Sequence, residues 1–123
     1  MTRGLWASPV YREAMKLGTL VGREVRRWRF HDRDVIGRQF ERAAHSVAAN
    51  VAEAYGRLSA ADKRRFIGYA IGSAREAETW LAKAVELNLI AADAEKGIRN
   101  LIVSLIRRLT AYHGSLTRDI RRR

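Results

Sequence analysis

Twenty arginines and four lysines stand against thirteen acidic residues in this 123-residue chain, a net charge of +11. Side chains of this kind do one chemistry well, which is binding polyanions. The planar arginine fork suits bidentate contact with phosphate and stacking on bases. The other reactive types are sparse. The absence of cysteine excludes disulfides, thiolate metal sites and cysteine nucleophiles. His31, His45 and His113 lack metal-ligand spacing. Glu41 precedes His45 by four residues, where a di-metal bundle needs Glu-x-x-His on two helices. No phosphate-cradling glycine loop or nucleophile motif is present. The expectation is a protein without enzymatic activity, metal or cofactor.

The cations are unevenly placed. Residues 1–30 carry +5, residues 31–58 carry 0, residues 59–90 carry +1 and residues 91–123 carry +5. The elements that would position them are helices, because apolar residues recur at intervals of three and four and no alternating strand pattern occurs. A first helix is expected over about 9–28, with Ser8 as N-cap, Pro9 in the first turn and a stripe of Val10, Ala14, Leu17, Val21, Val25 and Trp28. A second spans about 34–55 along Ile36, Phe40, Ala43, Ala44, Val47, Val51 and Tyr55, with Gly56 as a left-handed terminator. A third spans about 60–87, opened by Ser59 with Asp62 and closed by Asn88. A fourth spans about 93–117, capped by Asp93 and followed by a basic tail, 118–123. Short connections make this an all-α, antiparallel up-down-up-down four-helix bundle in one domain, 1–123. Alanines line the second and third helices, and Gly68 and Gly72 call for a close packing partner, since glycine inside a helix costs about 1 kcal/mol.

On helical wheels, Arg12, Lys16, Arg23, Arg26 and Arg27 lie opposite the first helix's apolar stripe. Lys96, Arg107, Arg118 and Arg121 lie opposite that of the fourth, and Arg122 and Arg123 extend the set. The first and fourth helices are neighbours in such a bundle, so their outer faces should merge into one basic surface for RNA or DNA. Trp6, Trp28 and Phe30 are the aromatic platforms nearest to it, with Trp28 better placed for the core. A polar set on the middle helices, Asn50, Glu53 and Arg57 with Ser73, Glu76 and Thr79, reads as an interhelical network. No run approaches the ~20 apolar residues of a membrane span and no export signal is evident. The expected location is therefore the cytoplasm.

The stretch Gln39-Phe40-Glu41-Arg42-Ala43-Ala44-His45-Ser46-Val47-Ala48-Ala49-Asn50-Val51-Ala52-Glu53-Ala54-Tyr55-Gly56-Arg57 resembles the signature Q-I-R-R-A-A-x-S-I-P-S-N-I-A-E-G-x-G-R of the four-helix-bundle proteins encoded in rRNA intervening sequences. Phe66-Ile67, Ala70, Gly72-Ser73, Glu76 and Glu78-Thr79 are similar to that family's F-L-x-x-A-x-G-S-x-x-E-x-E-T segment. Ala48 stands where the family usually has proline, and Ala54 where it has glycine. The resemblance implies a homopentameric barrel of four-helix bundles without established enzymatic activity. It also implies kinship with the accessory variability determinants of diversity-generating retroelements, which are basic pentamers that bind a reverse transcriptase and its template RNA. Two functions follow as expectations. The first is an RNA-binding oligomer, with a reverse transcriptase as its partner. The second is an rRNA intervening-sequence protein or a scaffold for an acidic protein.

Overall fold

The computed structural model describes residues 2–122. A short helix α1 (Thr2–Trp6) leads into α2 (Pro9–Val25). The Ser8 hydroxyl accepts the Tyr11 N–H at 3.2 Å, and Pro9 opens the helix where no N–H is missed. The same hydroxyl accepts the Tyr55 O–H at 2.6 Å, which ties the start of α2 to a residue 47 positions on. Past Val25 the chain tightens into 3₁₀-type turns, with Trp28 N–H bonding to the Val25 carbonyl at 3.0 Å. The helix thus ends three residues earlier than expected, although Trp28 still reaches the core.

The second long segment begins earlier than Asp34. A single turn α3 (Phe30–Asp32) runs through a π-helical turn (Arg33–Gly37) into α4 (Arg38–Gly56). Gly37 is required there, because a Cβ would sit 2.5 Å from Val25 Cγ1. Gly56 is the last helical residue rather than a left-handed terminator, and the chain leaves through an extended Arg57.

Helix α5 (Ala60–Glu86) starts where Ser59 Oγ accepts the Asp62 N–H at 3.0 Å. It ends in a Schellman turn, with Asn88 at φ 57° and Leu89 N–H bonded to the Ala84 carbonyl at 2.9 Å. Helix α6 (Ala92–Arg121) departs from expectation at both ends. Ala91 holds the cap position without a side-chain bond, and Asp93 lies in the first turn with Glu95, favourable to the helix dipole. The predicted tail is helical through Arg121, because buried Leu116 and half-buried Ile120 continue the apolar stripe and no breaker interrupts it.

The helices pack in ring order, α2 on α4, α4 on α5, α5 on α6 and α6 on α2. This is the expected all-α bundle. Leu17, Phe40, Ile67, Leu81, Ile102, Leu105 and Leu109 fill its centre. Ala43, Ala44 and Ala48 of α4 and Ala70, Ala74 and Ala77 of α5 are buried in it as well. The glycines that permit close approach are on α2: a Cβ at Gly18 would meet His45 at 2.6 Å, and one at Gly22 would meet Glu41 at 3.3 Å. Gly68 and Gly72 do not have the tight neighbour expected of them. The atom nearest Gly68 is 4.0 Å away, and Gly72 has none within 4 Å. Among the described residues no helix is long and apolar enough to cross a membrane.

Candidate nucleic-acid interface

Helices α2 and α6 turn Ala14, Leu17, Val21, Val25, Ile98, Ile102, Leu105 and Leu109 inward. At 100° per residue this sends Arg12, Lys16 and Arg23 outward on α2, and Lys96, Arg107, Arg118 and Arg121 outward on α6, while Arg26 and Arg27, expected on the helix, lie just past its end. All of them, and Arg122 beyond, are exposed. Arg123 lies outside the described residues. Among the described residues none of these ten cations forms an ion pair. Only Arg12 is tied internally, donating to the Trp6 carbonyl at 2.5 Å.

Three of the acidic residues on this side have partners of their own. Glu13 accepts the Ser104 hydroxyl at 2.9 Å and the Arg108 guanidinium at 3.2 Å, clasping α2 to α6. Glu95 is paired with Arg99. Glu24 is nine-tenths buried and accepts the Trp28 indole N–H at 3.1 Å.

A groove runs between the two helices. One part is lined by Leu20, Gly97 and Ile98 with Arg23 and Arg27 at its edge, and a second, sharing Leu20 and Gly97, by Lys16, Asn100 and Ser104. The structure therefore gathers Lys16, Arg23 and Arg27 along one channel. It does not gather all the predicted cations. Lys96 and Arg118 are about 33 Å apart along α6 at 1.5 Å per residue, so the basic surface is an extended track rather than a point site.

Of the aromatic candidates, Trp28 is core, 7% exposed and stacked on Phe40. Trp6 sits edge-on against Tyr11. Phe30 is the open platform, 73% exposed with the Arg33 guanidinium 5.8 Å from its ring centre. Arg33 and the exposed Arg29 belong to this region too, and the run Arg26-Arg27-Trp28-Arg29-Phe30-His31-Asp32-Arg33 carries the signal in the sequence.

The predicted polar network is smaller than expected. Asn50 donates to the Ser46 carbonyl at 2.9 Å and hydroxyl at 3.1 Å, and the Ser73 hydroxyl donates to Ser46 Oγ at 2.9 Å, joining α4 to α5. Ser46, one turn before Asn50, is the link that sequence reasoning missed. Glu53, Arg57 and Glu76 lie outside this link. Glu53 pairs with Arg57 at 2.6 Å, Arg57 covers the Phe66 ring at 4.5 Å, and Glu76 accepts the Trp80 indole N–H at 3.2 Å. Thr79 bonds back to the Arg75 carbonyl within α5.

The family model described as 23S rRNA-intervening sequence protein matches residues 7–111. A crystal structure of a protein with unknown function from the S23 ribosomal protein family of Bacteroides thetaiotaomicron has the same fold, with a TM-score of 0.75. That protein is 22% identical, and the match covers 83% of this chain and 95% of the other. Among curated proteins there is no significant match. With the family model covering α2, α4 and α5 whole and α6 as far as residue 111, the chain belongs to the 23S rRNA-intervening sequence protein family.

Proposed function

We propose that the protein is a non-enzymatic, oligomeric RNA-binding protein whose α2–α6 face tracks the phosphate backbone. The observation that carries this reading is the set of exposed cations on that face with no internal ion pair. A surface made only for solubility mixes signs in near balance, as the α4–α5 side does, whereas here cations far outnumber carboxylates. RNA is favoured over DNA by the family's association with rRNA intervening sequences, and the same association favours this role over that of a reverse-transcriptase accessory. Contact is chiefly with phosphate, because aromatic platforms are few, Phe30 being the most exposed ring among the described residues.

Self-association fits the α4–α5 side. Copies meeting through that nearly neutral side leave their basic faces outward, whereas α2–α6 faces repel one another. A pentamer is the assembly proposed, and light scattering at micromolar concentration reads it directly.

The function is tested by titrating a single-stranded RNA at several salt concentrations. The expected result is a steep linear fall of log K with log salt, at about 0.7 per phosphate neutralised for a single strand. Weak binding that ignores salt, or displacement of RNA by an acidic protein partner at stoichiometric concentration, would favour a scaffold instead.

A further inference from the structure

The groove between α2 and α6 holds a feature that phosphate binding does not use. Where Arg23 and Arg27 flank it, a cavity of about 310 Å³ has an apolar floor of Leu20, Gly97 and Ile98, and both Glu24 and Asp93 line it. Carboxylates are out of place in a phosphate track. Glu24 is also unusual by itself, because buried carboxylates are normally paired with cations. Among the described residues its one donor is the Trp28 indole, and neither Glu24 nor Asp93 has a cation within ion-pair distance although two arginines share the cavity. The site therefore offers apolar lining, carboxylate acceptors and guanidinium donors.

We propose that this cavity takes an unpaired guanine of the bound RNA strand. The inference rests on the reading of the α2–α6 face as an RNA surface and adds base preference to it. Guanine is the base whose Watson–Crick edge presents two adjacent donors, N1–H and N2–H₂, which match one carboxylate. It also presents two adjacent acceptors, O6 and N7, which match one arginine fork. Uracil offers a single N–H between two carbonyls, which a carboxylate repels. Cytosine and adenine each set one amino group beside an unprotonated ring nitrogen, so a carboxylate gains one bond and faces one lone pair. The purine ring covers the apolar floor, and the strand's phosphates continue onto Lys16 and the flanking arginines.

The test is fluorescence anisotropy with three labelled RNA heptamers, U₇, U₃AU₃ and U₃GU₃, at one fixed salt concentration. The wild-type protein should bind U₃GU₃ about tenfold more tightly than the other two. Glu24→Gln keeps an acceptor for Trp28 but removes the carboxylate, and should lower that preference to about twofold. Gly97→Leu plugs the cavity, and a Cβ at Gly97 meets nothing within 4 Å, so the helix accommodates it. This variant should keep a melting temperature at or above wild type and bind U₃GU₃ no better than U₇. Equal wild-type affinity for all three heptamers, with the salt dependence intact, overturns the guanine pocket and leaves the RNA surface standing. A preference that survives Gly97→Leu overturns the pocket as its source. Failure of all three heptamers to bind overturns the RNA surface itself and the pocket with it.

Discussion

On the α4–α5 side, five of eight cations, Arg38, Arg57, Arg65, Arg75 and Lys83, each hold a carboxylate three or four residues away, at 2.6 to 3.7 Å, and on α6 Arg99 and Arg108 are paired as well. On the α2–α6 side, Lys16, Arg23, Arg26, Arg27, Lys96 and Arg107 are exposed and hold none among the described residues. Exposed pairs of the first kind contribute roughly 0–1 kcal/mol each, so stability does not explain the difference. Its consequence is a field: nearly neutral on one side, strongly positive on the other. The contrast extends to packing. The α4–α5 seam is built from alanines and a Ser46–Ser73 hydroxyl bond, whereas α2 and α6 are clasped by a partly exposed polar cluster of Glu13, Ser104 and Arg108. One side is closely packed and nearly neutral, the other presents charge.

This contrast can be broken from either side. The largest effect is expected in the seam. Ala74 is fully buried on α5, and Ala74→Leu should cost about 1–3 kcal/mol through overpacking, read as a lower midpoint in urea denaturation. RNA affinity measured well below that midpoint should change less than twofold, because no phosphate contact is touched. On the other side, Phe30→Ala removes an exposed ring and should leave stability within about 0.5 kcal/mol. Its RNA affinity should fall about tenfold, the lower part of the range for one base-stacking contact. Wild-type affinity in that variant would show that the platform is not used. The smallest effect sharpens the comparison. Glu13→Gln removes the carboxylate that restrains Arg108, and should lower stability by about 1 kcal/mol while raising RNA affinity two- to threefold. Weaker binding in that variant would mean that clasping α2 to α6 matters more than the charge it masks.

Much of this division is legible in the amino-acid sequence. The Ser8-Pro9 start, the Ser59 cap and the Asn88 stop use local chemistry that a few residues determine, and all three occur as expected. The four apolar stripes and the clustering of charge follow from helical period alone. What escapes the sequence depends on distant partners. The π-turn at Arg33–Gly37 follows the packing of Val25 over Gly37, a contact between separate segments. Gly56 stays helical because the exit through extended Arg57 needs no left-handed residue. Ser46, not Glu53 or Glu76, completes the polar link, because helix phase places Ser46 opposite Ser73. The Glu13–Ser104 bond joins residues 91 apart in sequence, and the cavity beside Glu24 needs both α2 and α6 in place. The cations are visible one by one in the sequence. Their freedom from partners is visible only once the helices are packed.

That freedom is the central claim, and paired charge reversals test it most directly. One variant carries Arg23→Glu, Arg26→Glu, Arg27→Glu and Arg107→Glu. The control carries Arg57→Glu, Arg65→Glu, Arg75→Glu and Lys83→Glu, with the same change in net charge. In a gel-shift titration with single-stranded RNA, the first should lose at least a hundredfold in affinity with its oligomeric state intact, and the second less than tenfold. Equal losses in the two would contradict the account, because net charge rather than the α2–α6 face would then govern binding.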